Sequence, residues 1–215
     1  MGYLTEAANT VGAQLAGALP GGQGLHAGQM LEGKLKALIL LNNEPEFDSA
    51  AGVKAKASLN ATQMVVTLSP FKANMSFSDV LLPIAPFTET PGTFVNAEGR
   101  VQGFHAVVKP LGDTRPAWKV LRVLANLLGL PGFDFESSQD VLKQIRGVDM
   151  ALVPADKLGN ELADAGEGSI ALSAAAGLTP AVASIYQLDG LVRRAPSLQL
   201  TADARQAASV EGVTA

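Results

Sequence analysis

The 215-residue chain contains no cysteine. Disulfides, zinc–thiolate sites, cysteine nucleophiles and locally ligated iron–sulfur clusters are excluded with it. The same absence removes any cysteine clue to the redox compartment. Histidine is scarce as well. His26 and His105 are the only two, which leaves little from which to build a histidine-rich metal site. Aromatics make up 5% of the residues. Positive charge is short too: 16 Lys and Arg stand against 20 Asp and Glu, a formal net charge of −4. Without a basic run, the phosphate attraction behind nucleic-acid binding has no source, and no nucleic acid is expected as a partner.

A long, strongly apolar run is also missing. The opening Met1-Gly2-Tyr3-Leu4-Thr5-Glu6 lacks the basic and apolar regions of a secretory signal. Residues 168–188 carry no formal charge, but they are mostly Ala, Ser, Gly and Thr, with Gly177 and Pro180 in the middle. A buried or docked segment is expected there, and no direct membrane span.

What is present is a core. Hydrophobic residues make up 47% and charged residues 17%, which suits a globular domain with an interior. Leu4, Ala7, Ala8, Val11 and Leu15 predict a helix over 3–18, ended by Pro20-Gly21-Gly22. Compact apolar runs at 36–41, 64–68 and 80–82 read as strands, with a mildly helical stretch at 49–58 between the first two. Strand, connecting helix, strand and a further strand form the pattern of a mainly parallel α/β sheet with right-handed crossovers. Residues 93–95 and 100–108 read as extended segments. Pro116, the stripe Trp118, Leu121, Leu124 and Leu128, and a terminal Gly129 predict a helix over 116–128. A second follows over 138–146, capped by Ser137 or Ser138.

The fold expected is therefore α/β, a mainly parallel sheet with flanking helices, over residues 1–150. Residues 151–215 are rich in Ala and Gly and read as a C-terminal tail that docks on the body or on a partner subunit. Ile185, Tyr186, Leu188, Leu191, Val192, Leu198 and Leu200 give that tail apolar surface, and Arg193 and Arg194 give it charged contacts. Pro196 discourages a continuous helix there, and Thr201 is placed to cap a final short helix.

Chemistry is harder to find. No Gly-x-Ser-x-Gly elbow is present for a serine triad. Leu19-Pro20-Gly21-Gly22-Gln23-Gly24 has no following Gly-Lys-Ser/Thr and no preceding strand, so it is no phosphate cradle. His26 and His105 read as structural or surface residues. Glu44 and Glu46 flank Pro45 just past a strand end, where open α/β sheets place ligands. They are either a solvated turn or a carboxylate pair capable of acid–base work. Asn96, Glu98 and Arg100 alternate with Val95, Ala97 and Val101, which sets three polar side chains on one side of an extended segment. Arg100 is placed to pair with Glu89 or Glu98, as an ion-pair corner or as a ligand contact. No catalytic residue and no metal ligand emerges.

The stretch Asp79-Val80-Leu81-Leu82-Pro83, then Glu89, Gly92, Thr93, Asn96, Glu98, Gly99 and Arg100, resembles the D-V-x-L-P … E-x-x-G-T-x-x-N-x-E-G-R stretch of the molybdopterin oxidoreductase family. Within that family, residues 37–48, the opening Leu4–Thr10 and above all residues 186–203 are similar to the large iron–sulfur subunit of bacterial NADH–quinone oxidoreductase, respiratory complex I. The resemblance implies a molybdopterin-oxidoreductase-like, Rossmann-like fold and a chain that is the C-terminal part of a longer subunit. It also implies iron–sulfur clusters held in an N-terminal region absent here, and electrons carried from NADH toward quinone outside this chain. The implied partners are other peripheral-arm subunits of complex I, on the cytoplasmic side of the bacterial inner membrane.

Molybdenum enzymes of the family often carry Gly-x-Asn-Pro near the cofactor's nucleotide, after the equivalent strand. Here the turn reads Asn42-Asn43-Glu44-Pro45-Glu46, and a carboxylate there repels a pyrophosphate. The expectation is a domain without its own cofactor. Should a pterin or nucleotide remain at the strand ends, the residues the resemblance brings to it are Asn43, Asn96, Glu98 and Arg100.

Overall fold

The computed structural model describes residues 7–33, 35–49, 51–145 and 184–211. The first residues of the helix expected over 3–18, the boundary expected at 150/151 and most of the uncharged stretch 168–188 lie outside the described residues.

Three strands form the centre. β1 (Ala37–Leu41), β2 (Met64–Ser69) and β3 (Val80–Pro83) lie side by side in the order β1-β2-β3, and both pairings are parallel. Each strand is an apolar run ended by a breaker, and parallel pairing demands a crossover. That crossover is α4 (Gly52–Ala61), reached through one short turn, α3 (Pro45–Asp48). The mildly helical stretch expected at 49–58 thus lies three residues further on. Pro45 starts α3, and the extended backbone at Ser49 separates it from α4.

Leu38 and Leu40 of β1, Val65 of β2 and Leu59 of α4 make the core cluster. Met30, Leu31, Leu35 and Phe77 pack around it. Asp79 fixes the start of β3: its carboxylate accepts from Val65 N at 2.7 Å, and its own N–H donates to Val65 O at 2.9 Å.

A hairpin follows, of β4 (Gly92–Val95) and β5 (Val101–Phe104), paired antiparallel as a separate two-stranded sheet. Gly92 faces Phe104 so closely that a Cβ would sit 2.5 Å from the ring, which explains a glycine inside a strand. The segment expected to stay extended to 108 leaves the sheet after Phe104. Val107 N turns instead to Thr88 O at 2.8 Å. The helix expected over 3–18 is present as α1 (Thr10–Leu15). Asn9, just before it, accepts from Val95 N at 2.8 Å through Oδ1 and so serves the β4 backbone.

α5 (Ala117–Leu127) ends as its sequence requires and α6 (Ser138–Gln144) begins so, while the last residue of the helix expected over 138–146 lies outside the described residues. Pro116 stands at the N-cap of α5, one place earlier than expected. At its far end Gly129 has φ +69°, Gly129 N donates to Asn126 O and Leu130 N to Ala125 O, a Schellman turn. Ser137 and Asp140 cap α6 reciprocally, and the hydrogen bond from the Ser137 hydroxyl holds the Asp140 carboxyl below the usual carboxylate range.

The last stretch is a strap. α7 (Ile185–Leu188), a 3₁₀ turn at 192–194, α8 (Pro196–Gln199) and α9 (Ala202–Glu211) follow one another with short turns. Gln199 ties them together, its Nε2 donating to Tyr186 O and Val192 O, both at 3.0 Å. Pro196 opens α8 after an extended Ala195, so no helix runs through it, and its missing N–H falls where a first turn has no need of it. Thr201 Oγ1 accepts from Ala204 N at the start of α9. Among the described residues no helix is long and apolar enough to cross a membrane.

Candidate functional site

The carboxyl end of the parallel sheet is where this architecture offers a ligand crevice. The chain leaves β1 through Asn42, whose φ of +50° turns it sharply, while Asn42 N still donates to Leu68 O at 2.8 Å. Glu44 N then donates to the Asp48 carboxylate at 2.6 Å, closing α3 on itself. That closure aims the Glu44 side chain into the crevice, where the residue is 8% exposed.

The strap meets it there. Arg194 Nη2 lies 2.8 Å and Arg193 Nη2 3.1 Å from Glu44 Oε1, and Arg193 Nη1 lies 3.3 Å from Asp48 Oδ1. Each guanidinium also stacks on a ring of the body, Arg193 on Phe47 at 4.6 Å and Arg194 on Phe71 at 4.2 Å. The turn that presents them is built by Asp189, whose Oδ1 accepts from Leu191 N and Val192 N. Arg193 Nη1 further donates to Gln187 O, and Arg194 Nη1 to Gly190 O. Burial pushes the Glu44 carboxyl up, but hydrogen bonds from Arg194 and Arg193 and their charge outweigh it and hold the group below the ordinary carboxylate range.

What remains open is a crevice of about 230 Å³, lined by Asn42, Glu44, Asp48, Phe71, Asp189 and Arg193 among others. Ligand pockets run to roughly 300–1,000 Å³, and a diphosphate here would meet three carboxylates. The one arginine on the wall is already paired. This crevice therefore offers a diphosphate no unpaired cationic side chain among its described lining residues.

The other residues singled out by sequence are dispersed. Glu46 pairs with Lys56 of α4 at 2.9 Å, so Glu44 and Glu46 serve different cations and do not form one acid–base pair. Asn43 presents its carbonyl to Asn74 Nδ2 at 2.9 Å. Asn96, Glu98 and Arg100 do not share one side of an extended segment. They form the hairpin turn, in which Asn96 Oδ1 accepts from Arg100 N and Glu98 N, and Gly99 has φ +82°. The Asn side chain replaces backbone pairing at that point, as it does in tight turns generally. Glu89 accepts from Leu111 N rather than pairing with Arg100. His26 caps α2 (Ala27–Met30), and His105 lines a separate, mostly apolar cavity of about 440 Å³ between the hairpin, Trp118 and α6.

Sequence reasoning missed Asp48, Asp189, Phe47 and Phe71. The available signal was the Arg193-Arg194 doublet in a chain poor in cations, which needed acids and rings to receive it.

These features define a class: a parallel α/β domain whose strand-end crevice is latched by a C-terminal strap of the same chain. Residues 1–127 match the molybdopterin oxidoreductase family model, and the chain belongs to that family. The match takes in the sheet, the crevice turn, the hairpin and α5, while the arginine strap lies beyond it. The chain is similar to the "Putative formate dehydrogenase" of Staphylococcus aureus (strain bovine RF122 / ET3-1), with 31% identity over 115 residues, 53% of this chain and 12% of that protein. It is similar also to the "Probable oxidoreductase YjgC" of Bacillus subtilis (strain 168), with 30% identity over 131 residues, 59% of this chain and 13% of the relative. The chain therefore spans about an eighth of the length of these relatives. Neither name refers to a subunit of complex I.

Proposed function

We propose that this chain is a structural and assembly domain of an oxidoreductase, keeping the family's α/β fold without a pterin or nucleotide of its own. One observation carries the reading: Glu44 occupies the strand-end turn and is held there by Arg193 and Arg194. A carboxylate in that position, neutralised from within the chain, stands where a diphosphate would otherwise need donors. The resemblance of residues 186–203 supports a finer assignment, to the peripheral arm of complex I on the cytoplasmic side of the bacterial inner membrane. Electrons there travel through iron–sulfur clusters outside this chain. In this reading residues 1–150 are the body and 151–215 the docking tail.

The names of the relatives favour a second reading, a domain of a formate-dehydrogenase-like molybdenum enzyme that retains a bound pterin or nucleotide at the strand ends. The purified chain, carried through metal analysis, absorbance and mass spectrometry, separates the two. We expect no stoichiometric molybdenum or iron and no pterin; either in stoichiometric amount overturns the first reading. In native gels of membrane extracts, a tagged chain should run with NADH-oxidising activity. Migration with a formate-oxidising band would reject the complex I assignment.

A further inference from the structure

Two adjoining cavities lie between the β4–β5 hairpin, the loop after it, α5 and α6, and neither shares a lining residue with the strand-end crevice. Their chemistry differs. The first, of about 440 Å³, is walled mainly by Phe104, Trp118, Val141, Leu142 and Ile145. The second, of about 550 Å³, is lined by Lys109, Arg115 and Lys119 with one acid, Glu89. Pro91, Trp118, Ser138 and Gln139 line both, so the two are halves of one groove. Each half falls in the size range of ligand pockets, roughly 300–1,000 Å³. The three cations stand out in a chain of net charge −4. Among the described residues none of them forms an ion pair. Arg115 Nη1 donates to the neighbouring Thr114 O at 2.8 Å, and Lys119 rests over the Trp118 ring. Glu89 is engaged by Leu111 N.

We infer that this groove binds an anionic amphiphile, a hydrocarbon chain of fatty-acid length with one anionic head, carboxylate or phosphate. The chain lies against Phe104, Trp118 and Leu142, and the head beside Lys109, Arg115 and Lys119. Charge mostly of one sign beside an apolar wall focuses its field on an anion, and the apolar half takes hydrocarbon out of water. A free phosphate would leave the apolar half unused, and a neutral lipid would leave the cations unpaired. The inference depends neither on the complex I assignment nor on what the strand-end crevice holds.

Trp118 is the only tryptophan in the chain and lines both halves, so its emission reports on the groove directly. The full chain, with residues 146–183 in place, is titrated with dodecanoate below its micelle concentration, and in parallel with dodecyl phosphate and with dodecanol. We expect a change in Trp118 emission that saturates at one equivalent of either anion, and dodecanol binding at least about fivefold weaker. Tighter binding of dodecanoate identifies a free fatty acid as the source, and tighter binding of dodecyl phosphate a lipid headgroup. Lys109 and Lys119 are exposed, so Lys109→Gln with Lys119→Gln leaves the core alone. In that variant affinity for the anions should fall about fivefold, while affinity for dodecanol stays as it was. No saturable change in the full chain, the result if residues 146–183 themselves fill the groove, would overturn the inference. Dodecanol binding as tightly as the anions, or anion affinity that survives the lysine substitutions, would overturn it too.

Discussion

At the scale of single residues, Glu44 carries the most consequence. Its side chain is nearly out of solvent and is met by two guanidiniums. Removing one partner from such a cluster leaves charge uncompensated in a poor solvent for it. Glu44→Gln should weaken docking of the strap by about 2–3 kcal/mol, read as faster hydrogen exchange over 185–200. The pH dependence has a definite sign. The folded carboxyl is held below its unfolded value, so its contribution is complete above the ordinary glutamate pKa of about 4.3 and is lost as pH falls through the lower folded value. Exchange of the strap should therefore stay slow from pH 7 toward pH 5 and quicken in more acid solution. In Glu44→Gln that acid-dependent step should shrink; an unchanged pH profile would show that another group sets it.

At the scale of elements, the strands were legible and their surroundings less so. ALILL, MVVTL and VLLP are short apolar runs with breakers after them, and each became a strand of the parallel sheet. The helix 117–127 was legible from its stripe and its terminal glycine, because both are local signals. Asn96, Glu98 and Arg100 were misread for the same reason. Alternation of polar and apolar residues mimics a strand, while the turn was set by one Asn side chain bonding two backbone amides. The crevice latch was legible only from one side: the Arg193-Arg194 doublet announces charged contacts, but nothing local ties it to Glu44. A comparable long-range tie joins α1 to the hairpin through Asn9. Val95 is buried, and Asn9→Ala would leave its N–H without that acceptor. We expect a loss of about 1–3 kcal/mol in urea unfolding, with exchange at the Val95 amide quickened most. Retained protection there would mean that the hairpin edge finds another partner.

For the whole molecule, the strap is part of the body's surface. Its arginines stack on Phe47 and Phe71, and Glu44 and Asp48 are paired by it. Deleting residues 184–215 should remove that stacking, raise binding of an apolar dye and leave the carboxylates repelling one another at neutral pH. A truncated chain as stable as the full one, with no added dye binding, would make the strap a passive appendage. The latch also sets an order of events during synthesis. Asp48 and Arg193 stand 145 positions apart in the chain. At ribosomal rates that separation is roughly 7–30 s, and for the part of it that follows synthesis of β3 the sheet has its strands but not the arginines of its acidic turn, so an unlatched form is an obligatory stage in the life of every copy.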